Sequence, residues 1–248
     1  MEQTLYDEFN SIESRHWWFL ARQRIFITLI ESFFHHPKDS KILDIGCGTG
    51  MNMKNLAKFG SVIGMDLSMD AIRYCQQIGN PLCQGDMSNL PFQSNSFDII
   101  TILDVVEHLE DDLGALKEVY RICNNKGILL VAVPAFQFLW GEHDELAHHI
   151  RRYTLGELRK LVEESGFEIL KISYNNFFFF PIGLVFRYLK RFFRRLNNKR
   201  ELTSDFANTA PPILNEILRE IYAFEGKLLK HFNLPLGLSI LCICRKSI

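Results

Sequence analysis

Unbroken apolar runs alternate along this chain with stretches whose apolar residues recur every three or four positions. The runs FDIITIL (97–103) and GILLVAVP (127–134) lack polar alternation, which is typical of strands buried on both faces. Strands followed by helices in this way predict an α/β fold with a doubly wound parallel sheet. Strands are predicted at 41–45, 62–67, 82–85, 97–103, 127–134, 167–177 and 238–246, and helices at 51–59, 69–79, 109–124 and 154–166.

Two segments lie outside the alternation and divide the chain into three parts. Residues 1–40 are predicted to be helical and aromatic, and residues 178–235 to carry at least two more helices. The predicted organisation is therefore an N-terminal helical lid (1–40), a core (41–177 and 236–248) and a helical insertion before the last strand (178–235).

Composition places the chain among ordinary globular proteins. It has 248 residues, 47% of them hydrophobic, and a formal net charge of −1, which gives no reason to expect nucleic acid as a partner. Its six cysteines form no C-x-x-C pair, its first residues do not resemble a signal peptide, and no apolar run approaches the ~20 residues of a membrane-spanning helix. We expect a cytoplasmic protein.

Three glycines follow the first predicted strand directly, at Gly46, Gly48 and Gly50. Glycine lets the backbone turn tightly and approach a ligand closely, and ligands of doubly wound sheets lie at the carboxyl ends of the strands. Asp66 ends the next predicted strand, where it can accept hydrogen bonds from ribose hydroxyls. The pattern is G-x-G-x-G, unlike the G-x-G-x-x-G of dinucleotide-binding proteins, which favours a cofactor without phosphate over a dehydrogenase.

Four motifs resemble those of the class I S-adenosylmethionine-dependent methyltransferases. ILDIGCGTG is similar to the glycine-rich motif, VIGMDLS to the second, GDMSNLPF to the third and SFDIITILDVVEHLED to the fourth. The resemblance covers roughly residues 40–175 and the final strand. It implies a seven-stranded Rossmann-like sheet with the last strand antiparallel, S-adenosylmethionine as cofactor and S-adenosylhomocysteine as product.

The resemblance also implies roles for individual residues. The glycine turn should lie against the methionine part and the ribose, Asp44 should contact the amino group, and Asp66 should hold the ribose. The cofactor-binding residues are then Asp44, Gly46, Cys47, Gly48, Gly50, Asp66, Leu67, Asp86, Met87 and Leu103, joined by Arg22 and Trp17 from the lid described next.

Two flanking segments resemble a bacterial subgroup of the family, of the type-11 or type-12 kind. The first, HWWFLARQR (16–24), is expected to form a lid over the cofactor, with Arg22 binding the cofactor carboxylate through its two-pronged guanidinium. The alternative is an aromatic helix packed on the sheet with Arg22 in a surface ion pair.

The second segment, 141–167, carries the signature HHIRRYT and follows the fifth predicted strand, so it faces the substrate. A histidine there can accept the acceptor's proton, and the basic residues can hold an anionic substrate; purely structural roles remain the alternative. The candidate catalytic residues are His143, His148 and His149, and the candidate substrate-binding residues are His108, Arg151, Arg152 and Tyr153.

Asp104, Glu107 and His108 have the spacing D-x-x-E-H. Some O-methyltransferases of quinone biosynthesis carry a similar E-x-x-E-H that can hold a divalent cation. Here Asp replaces the first Glu, and many metal-free relatives show V-x-E-H-L as well. We expect no metal site, and a helix start whose acids cap amide groups.

Residues 187–200 (RYLKRFFRRLNNKR) contain seven basic side chains and no acid, after the apolar run FFFFPIGLVF. Such a helix suits the interface of an anionic membrane, here the inner face; the alternative is a cap whose apolar face lies on the domain and whose basic face lies in water. The acceptor is accordingly a small molecule or a lipid-linked compound, methylated on O or N. The alternatives are a cofactor-binding partner protein without turnover, or a metal-assisted O-methyltransferase of quinone-like substrates.

Overall fold

The structure is a computed structural model that describes residues 3–35, 39–197 and 210–247; for 3–5 and 191–197 it describes the backbone alone. In these ranges the strands form one seven-stranded sheet in the order β3-β2-β1-β4-β5-β7-β6. β7 is antiparallel to both β5 and β6, and the remaining pairs are parallel. This confirms the predicted fold. The strands are β1 Ser40–Ile45, β2 Gly60–Asp66, β3 Leu82–Gln84, β4 Phe97–Leu103, β5 Cys123–Pro134, β6 Glu168–Asn175 and β7 Ser239–Arg245.

The helices of the described ranges begin and end near the predicted positions in the core. A capping box starts α7, because the Thr154 and Glu157 side chains each accept a hydrogen bond from the other residue's backbone N–H group. The predicted helix 109–124 is shorter, since Asp111 caps its first turn. The helices are α1 Gln3–Ile12, α2 Trp17–Phe33, α3 Met51–Leu56, α4 Met69–Cys75, α5 Asp112–Ile122, α6 Glu142–Ala147, α7 Leu155–Glu164, α8 Phe180–Asn197 and α9 Pro212–Leu229.

The sheet is buried on both faces, which explains its unbroken apolar strands. On one face Leu43 and Ile100 belong to a core that includes Leu116 of α5 and Leu158 of α7. On the other face the core is formed by α2 and α9. It contains Ile42, Ile99, Ile25, Leu29 and Tyr222. Strand order reverses between β1 and β4, so the crevice expected for a ligand lies at their carboxyl ends.

α2 is part of this core, while α1 lies over the carboxyl edge of the sheet. Glu13, just after α1, accepts a hydrogen bond from Thr49 in the glycine turn, and Asp7 of α1 accepts one from Tyr74 of α4. The N-terminal segment thus combines a core helix with a covering helix. The division of the chain into lid, core and insertion stays a prediction.

α9 is fastened to the end of β6 by a buried carboxylate. Glu225 accepts hydrogen bonds from the backbone N–H groups of Asn176 (2.7 Å) and Phe178 (2.9 Å), and Asn175 donates to the Tyr222 hydroxyl (2.8 Å). These bonds fix the chain where it leaves the sheet and enters α8.

The described part of α8 turns its basic residues toward the protein and its apolar residues outward. Arg187 donates to the Leu139 carbonyl, and Lys190 pairs with Glu142 at 2.8 Å. Val185, Tyr188 and Leu189 are more than half exposed. This contradicts a cap with its apolar face on the domain. The other predicted face residues, Arg191, Phe192, Phe193, Arg194, Arg195, Leu196 and 198–200, lie outside the side chains that the structure describes.

Within the described ranges, every helix is too short or too polar to cross a bilayer.

Candidate active site

A cavity of about 850 Å³ lies at the carboxyl ends of the strands. Its walls come from the glycine turn, the ends of β2 and β4, the loop after β5, and the covering helices α1, α2 and α8. The sequence-predicted residues on its wall are Trp17, Arg22, Gly46, Cys47, Gly48, Asp66, Leu67, Asp86, Met87, Leu103, His108, His143, His149 and Arg152.

The glycine turn is held against the end of β2. The N–H groups of Gly46 and Cys47 both donate to the Met65 carbonyl, at 2.7 and 3.0 Å. Gly46 has φ +70°, and a Cβ there would lie 2.2 Å from Val105, so only glycine fits. Gly48 has φ +56° and open space where a Cβ would stand, which leaves room for a ligand against bare backbone.

Asp66 connects this turn to the second motif. Its Oδ2 accepts from the Gly48 N–H at 3.0 Å and its Oδ1 from the Ser68 N–H at 2.9 Å. Each carboxylate oxygen has a second acceptor position, so the side chain can accept two more hydrogen bonds from the cavity. Leu67 beside it is 66% exposed and offers an apolar surface to a planar ring.

The fourth motif supplies an acid with unusual backbone geometry. Asp104 directly follows β4 at φ +57°, a conformation uncommon for residues other than glycine. Its N–H donates to the Ala132 carbonyl of β5 at 2.9 Å, which holds the turn in place. The side chain is thereby aimed at the cavity wall.

The loop after β5 gathers histidines around the buried Asp144. His149 places its Nδ1 2.8 Å from Asp144 Oδ1, and Arg152 binds both carboxylate oxygens at 2.8 and 2.9 Å. Burial raises the pKa of Asp144, but the His149 hydrogen bond and the Arg152 charge outweigh it and hold that pKa below its usual range. The His108 and His149 rings are 4.8 Å apart, and the His143 and His149 rings 6.1 Å.

Residues 43–131 match the family model of a methyltransferase domain. The chain is 33% identical over 155 residues to an uncharacterized protein of Methanocaldococcus jannaschii, covering 62% of this chain and 66% of that protein. It is 32% identical over 110 residues to a demethylmenaquinone methyltransferase of Corynebacterium kroppenstedtii, covering 42% and 48%.

The fold matches solved structures across most of the chain. A Thermotoga maritima protein, described as an S-adenosylmethionine-dependent methyltransferase and possible histamine N-methyltransferase, has a TM-score of 0.59 at 20% identity, covering 98% of this chain and 99% of that one. The match to a methyltransferase domain, the strand order of the sheet and the glycine turn all point to the same family. Residues 43–131 form a class I S-adenosylmethionine-dependent methyltransferase domain. The chain spans about half to two thirds of the length of the curated relatives it matches.

The methyltransferase domain implies S-adenosylmethionine as cofactor, and the residues present fit it. The open space at Gly48 gives the cofactor a backbone cradle, and Asp66 has acceptor positions left for hydroxyl groups. Asp86, Met87 and Leu67, all expected to lie near the adenine, line the same cavity.

Asp44 and Gly50 lie behind this wall. Gly50 begins α3 at φ +82°. Asp44 is 1% exposed; its Oδ1 accepts from the Thr101 hydroxyl at 2.6 Å, and its Oδ2 has no hydrogen-bond partner in the described chain. Burial raises the pKa of Asp44 to about 7. The orphaned oxygen is consistent with the expected contact to a cationic amino group.

Arg22 has a different partner from the cofactor carboxylate expected for it. Both of its terminal nitrogens bind the Asp104 carboxylate, one of them at 2.8 Å, and its guanidinium lies 4.7 Å from the Trp18 ring and 4.9 Å from the Phe26 ring. Because both terminal nitrogens of Arg22 bind Asp104, this side chain fastens α2 to the end of β4. The surface ion pair weighed as the alternative is also wrong, since Arg22 is buried.

The basic signature HHIRRYT is largely structural in this fold. Arg151 pairs with Asp112 at 2.9 Å and the Tyr153 hydroxyl donates to the same carboxylate at 2.8 Å, both away from the cavity wall. Arg152 reaches the wall but is neutralised by Asp144. Their expected role in binding an anionic acceptor is therefore corrected to that of holding the loop.

His148 also lies off the wall. It ends α6 at φ +57° with an exposed side chain, and its carbonyl is 3.2 Å from His108 Nδ1. Of the three candidate catalytic histidines, His143 and His149 line the cavity and His148 is not among its lining residues.

Several wall residues were missed by the sequence analysis. Tyr6 and Phe9 of α1 and Glu13 line the cavity, as do Ile182 and Phe186 of α8. The helical spacing of Tyr6, Phe9 and Glu13 was a signal for a shared face. Nothing in the sequence indicated which surface that face would cover.

Asp44→Asn tests the buried acid. Between its ordinary pKa of 3.8 and its folded pKa of about 7, the folded chain retains a proton that the unfolded chain has lost. The free energy of unfolding therefore falls as pH rises through this window, by at most about 4 kcal/mol. The Asn side chain cannot ionise. The free energy of unfolding of the Asn variant, taken relative to that of the wild type, should therefore be higher at pH 8 than at pH 4.5.

Urea unfolding of the ligand-free protein at both pH values measures this difference. Asp70→Asn, at an acid on α4 that pairs with Arg73, is the matched control and should show little change. An equal effect of Asp44→Asn at the two pH values would show that Asp44 titrates normally.

Proposed function

We propose that the protein transfers a methyl group from S-adenosylmethionine to an oxygen or nitrogen of a small-molecule or lipid-linked acceptor. One observation carries the proposal: the cavity has the glycine turn and Asp66 on one side and His143, His149 and the apolar residues of α8 on the other. The same cavity can thus hold a cofactor and an acceptor side by side. S-adenosylmethionine supplies a methyl group on a cationic sulfur, which an acceptor lone pair can displace to leave S-adenosylhomocysteine.

The described residues hold and orient the two reactants. Asp66 accepts the ribose hydroxyls, Leu67 and Met87 flank the base, and Leu103 ends β4 beside the amino acid part. α1 and Trp17 cover the cavity and exclude water from it. Exclusion of water strengthens the attraction between an electron-rich acceptor and the cationic sulfur.

We assign the acceptor's proton to His143. The new bond joins the methyl carbon to the acceptor, the carbon–sulfur bond breaks, and the acceptor's proton moves to the imidazole. His143 lies on the wall between Phe9 of α1 and His149, with ring distances of 6.4 and 6.1 Å. The accessible nitrogen of His149 instead faces Glu107, 3.7 Å away.

The apolar side of the cavity favours a lipophilic or lipid-linked acceptor. Ile182 and Phe186 line the cavity and are also 65% and 54% exposed, so they form an apolar path from the cavity to the surface. Relatives named demethylmenaquinone methyltransferase support an acceptor of the quinone class.

The apolar path formed by Ile182 and Phe186 suggests that the protein lies peripherally at the inner face of the membrane. Large exposed apolar patches mark interaction surfaces, and α9 adds exposed apolar residues at helical spacing. They are Ile213, Leu214, Ile217, Ile221 and Phe224.

The second candidate function is a cofactor-binding partner protein without turnover. One feature favours this alternative: α1 covers much of the cavity, which restricts the entry of an acceptor. Consumption of S-adenosylmethionine in the presence of a cell extract separates the two, because a non-catalytic partner would consume none.

Asp66→Ala should weaken S-adenosylmethionine binding by roughly 1.5–3 kcal/mol, the range for hydrogen bonds to a charged group. Titration calorimetry measures it, with Asp70→Ala as the control acid outside the cavity. Tighter binding of a nicotinamide dinucleotide than of S-adenosylmethionine would overturn the cofactor assignment.

His143→Ala should lower turnover by ~10²–10⁴ while cofactor affinity stays the same. Transfer of a radiolabelled methyl group into the lipid and aqueous fractions of an extract measures turnover and identifies the acceptor class. His148→Asn, at the exposed histidine of the same loop, is the control. If the His143→Ala variant labels the extract as strongly as the wild type, His143 does not accept the proton.

Binding to vesicles should rise with anionic lipid content and fall when Val185, Leu189, Ile217 and Ile221 become Gln. Each basic side chain near an anionic surface contributes about 1 kcal/mol, so reversing Arg191, Arg194 and Arg195 to Glu should also weaken binding. Arg187 is left unchanged because it is held inside the protein. Co-sedimentation measures binding, with Ile150→Gln as the control at an exposed apolar residue elsewhere. Binding indifferent to these changes would favour a water-soluble acceptor.

A further inference from the structure

Three side chains converge beside the cavity, two from the D-x-x-E-H stretch and one, His149, from a segment that the sequence did not connect with it. Glu107 and His108 lie in a single 3-10 turn, Val106–His108, and His149 comes from the loop after α6. One potential ligand atom from each lies within 4.8 Å of the other two. His108 and His149 also border the cavity, so the cluster faces it.

Glu107 is the unusual member of the three. Its side chain is fully buried, and neither of its oxygens has a hydrogen-bond partner among the described residues. Leaving a buried polar group without a partner is costly. Arg22 and Arg152 are near enough to act on it electrostatically, but each directs its guanidinium to another acid, Asp104 and Asp144 respectively.

The imidazoles of His108 and His149 are each held by a contact at Nδ1, which leaves Nε2 available to bind a metal. His149 Nδ1 lies 2.8 Å from Asp144 Oδ1, and the ionised carboxylate only accepts, so Nδ1 donates and Nε2 keeps its lone pair. His108 Nδ1 lies 3.2 Å from the His148 carbonyl, which also only accepts, so the same tautomer follows. Metal-binding histidines are held in this way, with one ring N–H donating to a carboxylate or a backbone carbonyl.

We infer that Glu107, His108 and His149 form a binding site for a divalent first-row transition metal of the zinc type. Two imidazoles and one carboxylate are a ligand set used by catalytic zinc, and the imidazoles disfavour Mg²⁺, which prefers oxygen ligands. A metal held by these residues would lie beside the cavity, because His108 and His149 line it. Asp104 is not part of this group, and each of its oxygens accepts a hydrogen bond from Arg22.

The site also deepens the proposed function, on which this step rests. A metal at the cavity wall would bind an acceptor hydroxyl and lower its pKa, so that the oxygen attacks the methyl group as an anion. His143 would then receive the released proton. Metal binding itself is independent of methyl transfer and can be tested without cofactor or acceptor.

The test is calorimetric titration of chelator-treated full-length protein with ZnCl₂, with Co²⁺ absorption in the visible range as a second readout of coordination. The wild type should bind one Zn²⁺, and Glu107→Gln and His149→Ala should each weaken binding at least tenfold. Asp144→Asn, which removes the charge behind His149, should weaken it ~10–100-fold. His148→Asn is the matched control and should bind Zn²⁺ like the wild type.

Circular dichroism of each variant separates lost binding from lost folding, and His108→Gln provides a second ligand variant at a partly exposed position. No Zn²⁺ binding by the folded wild type would overturn the inference. So would unchanged affinity in folded Glu107→Gln and His149→Ala, which would place the metal elsewhere, or binding of Mg²⁺ in preference to Zn²⁺. None of these results depends on whether methyl transfer occurs.

Discussion

One buried carboxylate, Asp144, holds the side of the cavity opposite the glycine turn. It accepts hydrogen bonds from the Gly141 N–H at 2.7 Å, from His149 and from both sides of the Arg152 guanidinium, and Arg187 of α8 approaches it at 3.4 Å. A fully buried charge is tolerated only when it is paired and hydrogen-bonded in this way. The loop after β5, the orientation of His149 and the seat of α8 therefore depend on a single acid.

The opposite side depends on an analogous pair between Arg22 and Asp104. This ion pair fastens α2 to the end of β4, and α2 in turn packs against α9. Asn215 at the start of α9 accepts from the Trp17 N–H at 2.9 Å, so the insertion and the N-terminal helices form one wall. Access to the cavity is thus controlled by elements distant in sequence from the motifs that bind the cofactor.

The charged residues near the cavity divide into those that face a ligand and those that hold the wall. Asp66 retains acceptor positions toward the cavity, whereas Arg22, Arg151 and Arg152 each donate hydrogen bonds to a neighbouring acid. Glu107 belongs to neither group, because it is buried and its carboxyl oxygens have no hydrogen-bond partner among the described residues. That exception makes the histidine side of the cavity more than a structural wall.

The sequence by itself determined the strands of the doubly wound sheet and indicated the turn and the acid expected to bind the cofactor, whereas the strand order was seen only in the structure. Strand periodicity is local, and Gly46, Gly48 and Asp66 owe their roles to backbone geometry at strand ends, which any doubly wound sheet brings to one edge. Only the tertiary structure decided which of the charged and aromatic residues reach the cavity. His143, His148 and His149 look equivalent along the chain, yet the left-handed turn at His148 directs them differently. The hydrogen-bond partners of Arg22 and His108 lie 82 and 40 residues away, and the outward apolar face of α8 follows from ion pairs with α6. Such contacts depend on packing between distant segments, which short-range patterns do not specify.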